Sequence, residues 1–161
     1  MKPLTENVRK RIKTYIKNGL DIAPLIEGYS IKNEDLSGAI ITKFNRPNDD
    51  MSGVNLSKSV IGLPGKVNNI SGSKLVNAKF CDANLQGTIF ARRIDARMAD
   101  FSGAVLMNVE FQKADFNGAK FCECCLRVGS EYSWGAKFDD NFFADLTKGW
   151  DIVVTRKKKD V

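Results

Sequence analysis

A bulky apolar residue returns at every fifth position over long stretches of this chain. It does so at Ile70, Leu75, Phe80, Leu85 and Phe90, and again at Phe101, Leu106, Phe111, Phe116, Phe121 and Leu126. Two places earlier stands, in most units, a small residue: Ser73, Ala78, Ala83 and Thr88, then Ala99, Ala104, Ala114, Ala119 and Cys124. The place just before the large residue is usually polar, as at Lys79, Asn84, Asp100, Asp115 and Lys120. Fainter copies are Ser37-Gly38-Ala39-Ile40-Ile41, Gly53-Val54-Asn55-Leu56, Ala136-Lys137-Phe138 and Ala144-Asp145-Leu146. Five residues turn an α-helix through about 500°, so the large residues would drift ~140° apart at each step and share no face. Five is odd, so on a flat strand they would alternate between faces. A chain that bends after each pentad can bury them all, because every unit then aims its small and large residues at one axis.

The units Ala78-Lys79-Phe80, Ala83-Asn84-Leu85, Ala99-Asp100-Phe101, Ala114-Asp115-Phe116 and Ala119-Lys120-Phe121 resemble the pentapeptide-repeat family. The resemblance spans roughly residues 35–146. It implies an all-β solenoid: a right-handed quadrilateral β-helix with four pentads, or about 20 residues, per coil. The known roles of the family vary, so the resemblance implies a fold more than an activity. Counting Ala96 as a unit centre, Ile70 to Leu126 makes twelve units, or three coils. Stacking every fourth unit predicts a column of Lys79, Asp100 and Lys120 and another of Lys74, Asp95 and Asp115, about 4.8 Å per step. Such columns of mixed sign read as structural support. Cys81 and Cys122 fall two steps apart, ~9.6 Å, too far for a disulfide.

The register is interrupted. Phe90 to Phe101 spans one residue more than two pentads, with the extra residue within Ala91-Arg92-Arg93-Ile94-Asp95-Ala96 and with Ile94 and Ala96 read as inward. Ile61 to Ile70 reads as one fewer than two pentads and holds Gly62-Leu63-Pro64-Gly65. Arg46-Pro47-Asn48 sits where an inward residue is expected. Each break reads as a bulge or short loop at a corner. Ahead of the repeat, Leu4, Val8, Ile12 and Tyr15-Ile16 recur at helical spacing, with Thr5 as N-cap and Gly19 just beyond the C-terminus. The expectation is an N-terminal capping α-helix across the open coil end. Three segments follow: 1–34 as amphipathic helix and cap, 35–146 as β-helix, and 147–161 as C-terminal cap and basic tail.

The function classes narrow by chemistry. The 161 residues include no histidine, which removes the commonest general base at neutral pH. No Gly-rich phosphate loop or metal-ligand spacing occurs, so the chain reads as non-enzymatic, with no catalytic residue, metal or cofactor. Cys122, Cys124 and Cys125 crowd one pentad, which excludes a spaced disulfide framework. Cys124 takes a small inward place, leaving Cys122 and Cys125 as the outward thiols. With no apolar run near ~20 residues and no signal-like start, the expectation is cytoplasmic, with no membrane contact.

The net charge is +6, yet residues 36–146 hold 13 basic and 12 acidic side chains, and the surplus lies at the two ends, notably Arg156-Lys157-Lys158-Lys159. Within the family, some members imitate B-form DNA and bind DNA gyrase, which gives one alternative function. A body ~26 Å long would need roughly fifteen net negative charges to match a duplex, so a near-neutral coil argues against that imitation. A second alternative, binding nucleic acid through a basic patch and tail, is also disfavoured. What remains is a protein-interaction module or scaffold with an unidentified protein partner. The candidate binding patch is Arg92, Arg93, Arg97 and Lys113. The aromatic end at Phe142, Phe143 and Trp150 is a candidate C-terminal cap or dimer surface, and it leaves open a homodimer through that end.

Overall fold

The bend that the five-residue period demands is made by a hydrogen-bonded turn. In most units the carbonyl of the large residue accepts from the N–H three places on: Leu36 from Ala39 at 3.1 Å, Leu75 from Ala78 at 2.9 Å, Phe101 from Ala104 at 3.0 Å. The second residue after the large one has positive φ, as at Gly53 (+68°) and Gly103 (+68°), and also at Asn77 (+58°) and Asp82 (+57°). This is the geometry of a type II turn, which favours glycine or asparagine at that place. Aspartate or asparagine just before the large residue braces the turn: Asp35, Asp50, Asn55, Asn69, Asn84, Asp100 and Asp115 each accept from the N–H two places on, at 2.9 to 3.2 Å.

The computed structural model describes residues 1–62, 68–90, 93–109, 111, 113–122 and 125–128. The chain starts with a short strand β1 (Lys2–Pro3), a helix α1 (Glu6–Lys17) and a helical turn α2 (Ala23–Ile26). Short strands follow: β2 (Tyr29–Ser30), β3 (Ile40–Ile41), β4 (Val60–Ile61), β5 (Asn68–Asn69), β6 (Thr88–Ile89), β7 (Val105–Val109) and β8 (Cys125–Val128). All pairings are parallel: β1 with β2, β3 with β4, β5 with β6, β7 with β8. Single parallel bridges join the rest into columns: Asp35–Asn55–Lys79–Asp100–Lys120, and Asp50–Lys74–Asp95–Asp115. A third column runs Asp21–Ile40–Val60–Asn84–Val105–Cys125. The chain therefore stacks coil on coil, and the two charge columns counted from the repeat are present.

The pairing revises one count. Ile40 pairs with Val60, four pentads on, but Val60 pairs with Asn84, which lies four places beyond the next four pentads. The interval from Ile61 to Ile70 is thus a single pentad carrying four extra residues, not two pentads short by one. Both readings give the same total of nine residues, and only the register separates the two. The later break is a single insertion: Lys74 pairs with Asp95, one place beyond four pentads. Ile94 and Ala96 are buried there.

The interior is one continuous cluster. Leu75, Phe80, Leu85, Phe90, Phe101, Leu106, Phe111, Phe116 and Phe121 are all at most 1% exposed. Small partners Ser73, Ala78, Ala83, Thr88, Ala99, Ala104 and Ala114 are equally buried. Leu126 lies in β8, with its side chain outside the described residues. Identical side chains at successive levels stack: Phe80 on Phe101 at 5.1 Å between ring centroids and Phe101 on Phe121 at 5.1 Å. At the other end, Thr5 caps α1 by accepting from Val8 N–H, and Gly19 follows at φ +64°. Ile12 of α1 enters the core cluster with Leu4, while Val8, Tyr15 and Ile16 pack against it. Arg9 grips Glu34 through Nε and Nη2. The amphipathic stripe is thereby covered by the first coil.

Candidate interaction surface

The sequence-predicted basic patch is only partly assembled. Arg93 and Lys113 are exposed, each in a left-handed turn, at φ +69° and +55°. They line a shallow depression of about 470 Å³ with Ile94, Asp95, Arg97, Ala114 and Asp115. Arg97 is engaged: its Nε and Nη2 donate to the two carboxylate oxygens of Asp95 at 2.7 and 2.8 Å. That fork-to-fork bond holds the Asp95 carboxyl below its ordinary range and pushes the Arg97 guanidinium up. Asp115 adds a second negative charge, so the depression is mixed in sign, not basic. Arg92 lies outside the described residues, as do Phe142, Phe143, Trp150 and residues 147–161.

The outward carboxylates have defined partners. Lys32 Nζ donates to Asp50 at 2.7 Å, and with Ser52 it brings the Asp50 carboxyl down to about 2. Asp100 is partly desolvated, which alone would raise it, yet the bonds from Ser102 and Cys81 and the charge of Lys120 leave it below its ordinary range. Lys120 Nζ stands 3.9 Å from Asp100. An acid held in its charged form by hydrogen bonds is a structural acceptor and not a proton donor poised near neutrality. Among the described residues no group of three His, Cys, Asp or Glu side chains could hold a metal, and no helix is long and apolar enough to cross a membrane.

Cys81 and Cys122 are free and half-buried. Burial and the nearby Asp100 push the Cys81 thiol up, which lowers its reactivity. Cys124 lies outside the described residues, and Cys125 lies in β8 with its side chain outside them.

Sequence reasoning saw Arg46 as a misfit but not what it does. Arg46 is 8% exposed and pairs at 2.6 Å with Asp49, which is 7% exposed and fills a small inward place. Its remaining donors reach the carbonyls of Ile26, at 3.2 Å, and Tyr29. The cause lies one level up, where α2, with Pro24 in its first turn, stands in place of a strand. The Ile26 carbonyl lies at the end of that helical turn, where intrahelical partners run out, and the guanidinium supplies a donor both to it and to the Tyr29 carbonyl in β2. A cleft of about 390 Å³ remains beside it, lined in part by Pro24, Ile26, Phe44, Arg46 and Pro47.

A family model described as "Pentapeptide repeats (8 copies)" matches residues 92–127. No curated protein matches the sequence. Solved structures similar to the chain include a pentapeptide-repeat protein of the Arabidopsis thaliana thylakoid lumen, at 24% identity and a TM-score of 0.32, covering 71% of this chain and 64% of that one. Another is HetL, a pentapeptide-repeat protein involved in heterocyst differentiation regulation in the cyanobacterium Nostoc, at 19% identity and 0.30, covering 74% and 43%. A third is QnrB1, a plasmid-mediated fluoroquinolone resistance protein, at 16% identity and 0.36, covering 72% and 87%. The chain spans less than two thirds of the length of the first two. Residues 92–127 thus match pentapeptide repeats, and the turns and pairings of the described coils keep the same five-residue frame outside that stretch.

Proposed function

We propose that the chain is a non-enzymatic protein-interaction module built on a right-handed, four-sided β-helix, with α1 capping its first coil. One observation carries the reading: the acids that stand just before an inward residue of the repeat are spent on the fold. Asp35, Asp50, Asp95, Asp100 and Asp115 each brace a turn N–H. Those with a resolved pKa shift are lowered, the opposite of what general acid catalysis near neutral pH requires. What the surface offers is a rigid array of mixed charges at fixed spacing, suited to another macromolecule of matching pattern. The near-neutral balance of residues 36–146 argues against imitation of a DNA duplex. The free thiols of Cys81 and Cys122 suit a reducing, cytosolic setting.

The test is capture from the native host with the immobilised full chain, repeated with Arg93→Glu/Lys113→Glu. A protein retained by the parent chain and lost by the double variant supports the reading and assigns the depression to the contact. Retention of no protein at low salt counts against it. Inhibition of gyrase supercoiling, or duplex binding at ~50 mM salt that weakens steeply as salt rises, would replace it with one of the alternatives.

A further inference from the structure

The column through Ile40, Val60, Asn84 and Val105 differs from its neighbours. Between Ile40 and Val105 it carries no charge, whereas the two columns through Lys74 and Lys79 are charged at most levels. Val60 is 46% exposed, one of few large apolar side chains left in water. Three of the four side chains are β-branched aliphatics, and they stand on short paired strands, a surface suited to packing against another flat β face. The corner beside this column holds, level by level, Gly38, Lys58, Asp82 and Gly103, all at positive φ. Glycine takes that conformation freely at the outer levels, aspartate tolerates it at Asp82, and Lys58 takes it against its preference. Both are exposed, and neither makes an ion pair among the described residues.

We propose that this face is where two copies of the chain meet, antiparallel, about a two-fold axis that crosses it midway between Val60 and Asn84. The symmetry then lays Ile40 over the partner's Val105 and Val60 over the partner's Asn84. It sets Lys58 against the partner's Asp82, and Asp82 against the partner's Lys58, so one corner supplies two ion pairs. A parallel arrangement would instead set Asp82 against the far corner of its own level, where Gly87 stands, and its charge would go unanswered. Charge self-complementarity therefore selects both the occupant and its direction. Three coil steps span only ~14 Å, so the contact is a modest one and the dimer dissociates at about micromolar concentration. It does not rest on the proposed capture of another protein.

Sedimentation velocity of the full chain from ~1 to ~200 μM tests this, a range that brackets a micromolar equilibrium. A dimer forms toward the upper end. Val60→Lys weakens it about tenfold or more by placing a charge in the apolar stripe. Lys58→Asp and Asp82→Lys each weaken it about tenfold, since each sets like charges together twice, and the double swap recovers the parent affinity to within about threefold. Thermal melts followed by circular dichroism check that the variants are folded. Should Val60→Lys fail to fold, the corner swaps decide alone, because both sites are exposed. A chain that stays monomeric, a dimer indifferent to these changes, or a double swap that recovers nothing overturns the proposal.

Discussion

The interior between Phe80 and Phe121 and the interior at Arg46 and Asp49 are built from the same inward places, filled in opposite ways. In the first, like stacks on like: Phe80, Phe101 and Phe121 form a ladder with rings within 14° of parallel, and Phe90, Phe111 and Phe116 meet edge to face around it. Phe101 stands between a level above and a level below whose backbones bond to its own, and the core there needs only shape and apolarity. In the second, the level above is a helical turn and not a strand, and two ionised side chains replace the apolar pair. The contrast teaches that the repeat dictates its core only where it has repeating neighbours. Where the stack meets a different element, stranded carbonyls decide what sits inside.

Phe101→Ala should break the ladder most severely, since it removes a ring touching Phe80, Phe90, Phe116 and Phe121. A loss of about 4 kcal/mol is expected, read from the urea midpoint. Arg46→Met should cost about 3 kcal/mol, because Asp49 is left buried and unpaired. The double change Arg46→Met/Asp49→Ala should recover part of that loss; a double variant as unstable as the single one would show that the carbonyl contacts, not the charge pair, dominate. Thr5→Ala should cost about 1 kcal/mol by freeing the Val8 N–H at the start of α1. The smallest effect is electrostatic. Asp50, held near 2 against an ordinary value of 3.8, contributes stability at neutral pH that fades as pH falls from about 4 toward about 2. Both partners are exposed, 48% for Lys32 and 42% for Asp50, so the contribution is a few tenths of a kcal/mol. Asp50→Asn should flatten that slope in acid unfolding and leave stability at pH 7 nearly unchanged.

The regular stretch was open to sequence reading because each of its units obeys one rule. Five-residue spacing named the buried residues from Leu75 to Phe121, and counting four units per level paired Lys79 with Asp100 and Asp95 with Asp115. The break at Arg93 was legible as a single added residue for the same reason. The interval from Ile61 to Ile70 was not, since its length fits either one extended pentad or two shortened ones. Arg46 was visible as an exception, but its partners at Ile26 and Tyr29 belong to the preceding level, built from an element outside the repeat. At the candidate patch, charge counting named Arg97 but could not see that the bend of its own turn lays it along Asp95. The left-handed turn positions of Lys58, Asn77, Asp82 and Met98 went unnoticed, because the eye that seeks glycine at turns passes over the residues that stand in for it.

The pairing scheme sets how the molecule comes apart. Each level bonds to the levels directly before and after it in the chain and to no others among the described pairings, so opening one end leaves the rest fastened. Protection of backbone amides against exchange with solvent should therefore be graded along the axis, deepest around Leu85 and Phe101, and loss of structure should advance level by level in the manner of a zipper. A chain of this kind yields to force or protease progressively, and a partner bound across several levels would hold those levels closed as one unit.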